Sequence, residues 1–334
     1  MRKYPNRQKR FSEWSKRYLC KDCKKSFSVD HRRKEKFLLR HLKGASIRTL
    51  SRESKKSLGA TYRKLDQELE DLPHNNFVTL KYCNRNRFSG VLLVDGKYVR
   101  VRGFERKIPF IYGIDYLTHD IPVCLLAPSE NYLALKSFFT KVKNANYKLR
   151  GMVCDDNGST MLALKDVFPD TPIELCHNHF LENIRRSLST RSNEKYRPFI
   201  LELKKAIFCK KLKKKKDIQK DLHLLLEKYV GDSTAVAALL YIEQHLDYLT
   251  NHLKIGACPK TNNLIESYNK QLNGRLKTIQ GFENFYYAER WLSAWILQRR
   301  LSPFTDCRGR FKSLNGKCSL EKTIKGDFTL PQLL

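Results

Sequence analysis

The stretch from residue 89 to residue 175 restricts the fold more than any other part of the chain. Its apolar runs are short, each bounded by a turn, and two helical patterns interrupt them. "GVLLVDGKYVRV" opens as a buried apolar run and breaks into alternation after Asp95. "KIPFIYGIDY" and "IPVCLLAP" follow, joined by the short turn "LTHD", so three consecutive strands read as an antiparallel meander. "NYLALKSFFTKVKNA" is an amphipathic helix, "LRGMVCDD" a strand, "STMLALKDVFP" a helix, and "TPIEL" a short fifth strand that delivers the chain into "CHNHFLENIRRSL". Three antiparallel strands followed by helix–strand–helix–strand is the order of a ribonuclease H-like fold. An α/β core with a five-stranded mixed sheet is therefore expected over residues 88–179.

The flanking segments read differently. Residues 1–33 are dense in Lys and Arg and contain "RYLCKDCKKSFS", in which Cys20 and Cys23 have the spacing of a zinc-ribbon knuckle. No cysteine precedes Cys20, so either the other half of the ribbon lies outside this chain or the hairpin persists without Zn2+ and grips phosphate. Residues 34–73 read as three short helices with glycine and proline stops, the pattern of a helix–turn–helix DNA-binding domain. Arg63 and Lys64 fall near the start of the last helix, where a recognition helix meets bases. Residues 180–258 read as an all-helical insertion, residues 259–301 as the final helices of the core, and residues 302–334 as a basic, irregular C-terminal tail. Trp291 and Trp295 share one apolar helical stripe and are expected in the core.

Charge narrows the partners. Sixty-five Lys and Arg against thirty-four Asp and Glu leave +31, a field that favours polyanions, nucleic acid first among them. The run "CKKLKKKK" at 209–216 is either a solvated helix face, a localisation signal or a phosphate contact; in a polyanion-binding chain Lys210, Lys211, Lys213 and Lys214 are expected on phosphates. No run of about 18 apolar residues occurs, so no membrane span is expected. "MRKYPNRQKRF" lacks the apolar segment of a secretory signal, and the ten cysteines are expected to be reduced.

Acids sit at the centre of this basic chain. Asp95 ends a buried apolar run, and Asp155 ends the fourth strand, which lies beside the first in this topology. Glu266 lies on the helix after the insertion, flanked by Asn262, Asn263 and Asn269, so it faces a polar site. Three carboxylates from distant segments suit two Mg2+ (or Mn2+) ions about 3.5–4 Å apart, the arrangement of metal-assisted phosphoryl transfer. Asp156 is an alternative to Asp155, and Asp115 in "YGIDY" precedes a turn and reads as structural.

"LLVDGKYVRV", "GMVCDDNG…FPDTPIELCHNHFLENIRR" and "TNNLIESYNKQL" resemble, in order, the three blocks of the Mutator-type transposases of insertion sequences, over roughly residues 88–300. The resemblance implies a catalytic triad of Asp95, Asp155 and Glu266. Cys176 and His179 match the family's Cys-x-x-His marker and are expected to shape the site, with Asn263 and Asn269 beside them. Zinc on that pair is the weaker choice, and His177 reads as incidental. The implied activity is hydrolysis at the 3′ ends of an element followed by strand transfer into target DNA. The implied partners are double-stranded DNA, as terminal inverted repeats and target, and further copies of the chain. The implied location is the cytoplasm, with the prokaryotic nucleoid. Rival readings are a transposase-derived DNA-binding protein without catalysis, and a nuclease on the same fold.

Overall fold

A small antiparallel sheet opens the chain: β1 (Arg2–Lys3), β2 (Ser15–Leu19) and β3 (Ser26–Asp30), with Cys20 and Cys23 in the turn between the last two strands. The computed structural model describes residues 2–3, 15–20, 22–30, 36–208 and 213–326. Three helices follow, α1 (Phe37–Lys43), α2 (Ile47–Ser54) and α3 (Leu58–Glu70). Gly44 stops α1 at a φ of 137°, open to glycine alone. Ser46 and Ser57 cap the next two, accepting from the amides of Thr49 and Ala60 at 3.0 and 3.2 Å. A fourth helix, α4 (Asn75–Tyr82), occupies a stretch with no clear periodicity.

The central sheet contains β4 (Val91–Val99), β5 (Ile108–Asp115), β6 (Val123–Leu126), β7 (Gly151–Cys154) and β8 (Ile173–Leu175), in the order β6-β5-β4-β7-β8. The first three pair antiparallel. β7 and β8 run parallel to β4, each entered after a helix, α5 (Tyr132–Asn144) or α6 (Gly158–Val167). The protein is thus mixed α/β with a five-stranded mixed sheet, as the strand pattern predicts. Leu93 pairs with Val153, which brings Asp95 and Asp155 level at one end of adjacent strands.

Alternation along β4 sorts the core into two layers. Leu92 and Val94 pack with α5, α6 and the helices α7 (His177–Ser187), α8 (Arg197–Ala206), α9 (Lys215–Lys228) and α10 (Ser233–Gln244). Val91 and Leu93 pack with α11 (Asn263–Ile279) and α12 (Phe285–Leu301) on the other side. Trp291 and Trp295, at 0% and 4% exposure, lie in this second layer as expected.

Leu38, Leu42, Leu50, Leu65 and Leu69 belong to the same layer, so α1–α3 are built onto the body. Tyr62 stacks on Tyr287 at 5.6 Å, and Arg290 pairs with Asp66 at 2.6 Å.

The expected irregular tail is corrected by the structure. A short 3-10 helix (Gly309–Leu314) and α13 (Ser319–Thr323) follow α12, with Phe304, Leu314 and Leu320 buried. Arg300 and Asp120, both fully buried, pair through two nitrogens at 2.7 and 2.8 Å. Ser319 and Thr323 donate to the same carboxylate, and Arg300 also reaches Asn75 and Thr79 on α4. These contacts join residues far apart in sequence, which local periodicity does not register. Among the described residues no helix is long and apolar enough to cross a membrane.

Candidate active site

Asp95 is held from two directions. Its Oδ1 accepts the Gly96 amide at 2.7 Å, and its Oδ2 accepts from Asn269 Nδ2 at 2.6 Å. Asn269 is in turn fixed by Tyr112, directly opposite Asp95 in the sheet, whose hydroxyl donates to Asn269 Oδ1 at 2.8 Å. Asn269 therefore reads the Asp95 carboxylate from α11, one turn beyond Glu266.

Asp155 follows β7 directly. Asn262 Nδ2 donates to its Oδ1 at 3.2 Å, and His179 Nδ1 stands 2.6 Å from the same oxygen. That second contact has an ion-pair distance without hydrogen-bond alignment, since His179 Nδ1 has no hydrogen-bond partner. His179 Nε2 lies 3.5 Å from Glu266 Oε1. One imidazole thus stands between two of the acids, and the third is level with Asp155 on the neighbouring strand. Asp156 is turned away, accepting from the Tyr241 hydroxyl on α10.

Cys176 caps the start of α7. Its amide donates to Cys154 O at 2.8 Å, extending the β7–β8 pairing, and its fully buried Sγ accepts from the Asn262 amide at 3.2 Å. It thereby sets the entrance to α11 and the Asn262 side chain that contacts Asp155. Asn263 is placed differently: it accepts from Asn178 at 2.8 Å, tying α7 to α11.

The electrostatics reflect crowded carboxylates. Burial, then repulsion from Asp155, pushes the Asp95 carboxyl up to about 7, against the opposing pull of the Gly96 amide. Contact with Asp155, then Cys176, raises His179 to about 11. The donor set fits hard divalent cations: three carboxylates, a repelled pair of acids and an unsatisfied Asn262 Oδ1 at one place. The three acids are not drawn together as one group within 4.8 Å; His179 stands between two of them. Asp155, Cys176 and His179 do lie that close together.

His177 is not incidental. It is buried and contacts Glu174 Oε1 at 3.0 Å and Leu249 O at 2.9 Å. Asp115 is also fully buried, accepting from Ser89, Gly90, Thr118 and Tyr147 at the far end of the sheet.

The basic residues are dispersed. Arg63 and Lys64 lie on the exposed side of α3, with Lys64 over the Phe37 ring at 4.2 Å. Lys213 is engaged within the chain, donating to Lys205 O and Ala206 O and pairing with Asp221 at 2.6 Å. Lys214 is exposed at the start of α9. Lys210 and Lys211 lie outside the described residues. Sequence reading missed a cleft lined by Arg185, Arg186 and Arg191 at the end of α7; only its three arginines in seven residues signalled it. The Cys20 thiol is lowered by the backbone amides of Cys23 and Asp22. Among the described residues no third metal-ligating group joins Cys20 and Cys23.

No curated protein matches the chain. A family profile described as "Transposase, Mutator family" matches residues 81–300, a span that holds the whole five-stranded sheet, the helical insertion and both helices that follow it. The chain carrying Asp95, Asp155 and Glu266 in this frame belongs to the Mutator family of transposases.

Proposed function

We propose that the protein is an active DNA transposase with a ribonuclease H-like core, in which Asp95, Asp155 and Glu266 hold two Mg2+ or Mn2+ ions. The observation that carries this reading is the meeting of those acids, from β4, the end of β7 and α11, around His179. Such ions supply an activated water and stabilise the leaving oxygen. The chain supplies the rest. Asn269 and the Gly96 amide fix Asp95 in one orientation, and Asn262 does the same for Asp155. His179, cationic between Asp155 and Glu266, keeps the acids from repelling one another until cations arrive. The sequence of events is hydrolysis of a phosphodiester that frees a 3′-OH at each element end, then attack of that 3′-OH on a target phosphodiester, which joins the two strands and releases the target strand's own 3′-OH.

Arg186 and Arg191, paired with Glu182 yet 70% and 90% exposed along their side chains, and exposed Lys214 offer phosphate contacts within the insertion. Double-stranded DNA is the substrate, and pairing of two element ends calls for more than one copy of the chain.

Asp95→Asn, Asp155→Asn and Glu266→Gln test the reading. Each should abolish end cleavage while DNA affinity stays within about threefold, because the amides keep shape and remove metal charge. Normal cleavage by all three variants refutes the assignment; absence of cleavage by the parent protein on its own element ends favours a DNA-binding derivative.

A further inference from the structure

Behind the acids, a second cluster has no part in the proposed chemistry. Glu174 lies on β8 with no exposed surface, and His177 and His252 beside it are 5% and 9% exposed. Glu174 Oε1 is approached by His177 Nε2 at 3.0 Å and by His252 Nδ1 at 2.8 Å. Its Oε2 accepts the His252 amide at 2.7 Å. Leu249 O is 2.9 Å from the same His177 nitrogen. The two rings stand 5.5 Å apart at 80°, so they approach from different sides instead of stacking.

Two features of this cluster are unusual for an ordinary hydrogen-bond network. The single proton that His177 Nε2 can carry faces two acceptors, Glu174 Oε1 and Leu249 O. Among the described residues no Lys or Arg pairs with Glu174, so its buried carboxylate meets two imidazoles and one backbone amide. A buried carboxylate is expensive unless paired or coordinated. Two imidazole nitrogens converging on one Glu174 oxygen, with the Leu249 carbonyl beside the His177 nitrogen, satisfy that demand if a cation binds there. Zinc bonds of about 2.0–2.1 Å set tetrahedral edges of about 3.3 Å, so separations of 2.8–3.0 Å need to open by only a few tenths of an ångström.

We propose that Glu174, His177 and His252 form a structural zinc site, with the Leu249 carbonyl as the neighbouring oxygen donor. Imidazole and carboxylate donors suit a first-row divalent ion, zinc above the others for a closed tetrahedral site. The site joins three elements: the end of β8, the first turn of α7, and the 3-10 turn Asn251–Leu253 where the insertion returns to the core. Two further contacts brace the same junction, Asn251 Nδ2 to Ile173 O at 2.8 Å and the His177 amide to Lys260 O at 2.9 Å. His179 lies on that same first turn of α7, and Asn262 follows two residues after Lys260. The ion therefore pins the base of the insertion and positions His179 and Asn262 against Asp155.

The test uses the full chain carrying Cys20→Ser and Cys23→Ser, so that the N-terminal pair contributes no metal. Elemental analysis after dialysis into metal-free buffer should find stoichiometric zinc. Cobalt loaded in its place should give the visible absorption of a four-coordinate ion. Zinc should remain with Cys176→Ser and fall to background with His252→Ala and with Glu174→Gln. The last change is nearly isosteric and keeps the fold testable if His252→Ala does not fold. A chelator should lower the melting temperature of the parent and leave that of Glu174→Gln unmoved. Absence of zinc and cobalt in the parent overturns the proposal, as does zinc retained by both His252→Ala and Glu174→Gln. Zinc lost with Cys176→Ser but kept by His252→Ala overturns it too, and moves the ion to Asp155, Cys176 and His179.

Discussion

Lowering the pH from 8 to 6 should weaken binding of a divalent cation about a hundredfold, and the two protons responsible can be named. Asp95 carries its proton up to about 7. A cation takes only the carboxylate, so the Asp95 proton alone divides the affinity by about eleven at pH 6, by about two at pH 7 and hardly at all at pH 8. His179 is held cationic up to about 11 by Asp155. Once Asp155 turns to a cation, the imidazole returns toward its ordinary value of about 6.5 and releases most of its proton at pH 7 and above. The two releases complement each other, Asp95 at the acid end and His179 at the alkaline end, and sum to about one proton at every pH between 6 and 8. One proton per binding event means about tenfold in affinity per pH unit. Calorimetric titration with Mn2+ in buffers of different ionisation enthalpy counts the protons directly. With His179→Asn the release should fall from about 0.9 at pH 6 to well below that at pH 8, and the change in affinity over the range should shrink to about tenfold. Removing the imidazolium also removes a charge that lowers Asp95, so some release persists at pH 7 and above. Binding that is independent of pH, or that releases no proton at pH 6, refutes the placement of both groups.

Four further outcomes follow from the same geometry. In metal-free protein Asp95 binds a proton more tightly folded than unfolded, so wild type should lose stability relative to Asp95→Asn as pH rises from about 4 to about 7; thermal melts of the two proteins across that range decide it. Cys176→Ser should reduce strand cleavage less than His179→Ala, because the serine hydroxyl still accepts from the Asn262 amide while the alanine leaves Asp155 and Glu266 without a cation between them. Asp120→Asn should cost about 3–5 kcal/mol of stability in denaturant unfolding, since it strands the Arg300 charge with no exposed surface. Deleting residues 1–33 should weaken discrimination of element ends in a binding competition and leave a folded protein, whereas deleting through residue 73 should lower the melting temperature by uncovering Trp291 and Leu292.

The central sheet was legible because its strands announce themselves locally. Val91 to Val94 form an apolar run, Asp95 breaks it, and Asp155 ends the matching run on the strand beside it, so two acids could be set level from pattern alone. Glu266 was legible through its asparagine neighbours, of which Asn262 and Asn269 do reach the acids. What was not legible depends on partners far away. Nothing near His177 in the chain shows that His252 and Glu174 meet it, and a lone histidine between Cys176 and His179 reads as filler. The lysine run holds a further contact of this kind: Lys213 meets the carbonyls that end α8 and Asp221, partners that charge density cannot display. The last described residues, short of apolar periodicity, concealed a buried helix.

The knot around Asp120 bears on the order in which this protein can be made. Asp120 emerges from the ribosome early, with the meander that also carries Asp95, but its guanidinium partner at Arg300 and its hydroxyl partners at Ser319 and Thr323 come last, the final one 203 residues later. Until then the turn between β5 and β6 holds a carboxylate without its full set of donors. A chain interrupted after α12 would possess Asp95, Asp155 and Glu266 and still leave Asp120 two hydroxyls short, with Phe304, Leu314 and Leu320 missing from the seam they fill. For a member of a transposase family, such an arrangement makes synthesis through Thr323 a condition of a sealed fold: shorter translation fragments carry the acids but lack the closure that holds α12 against the sheet.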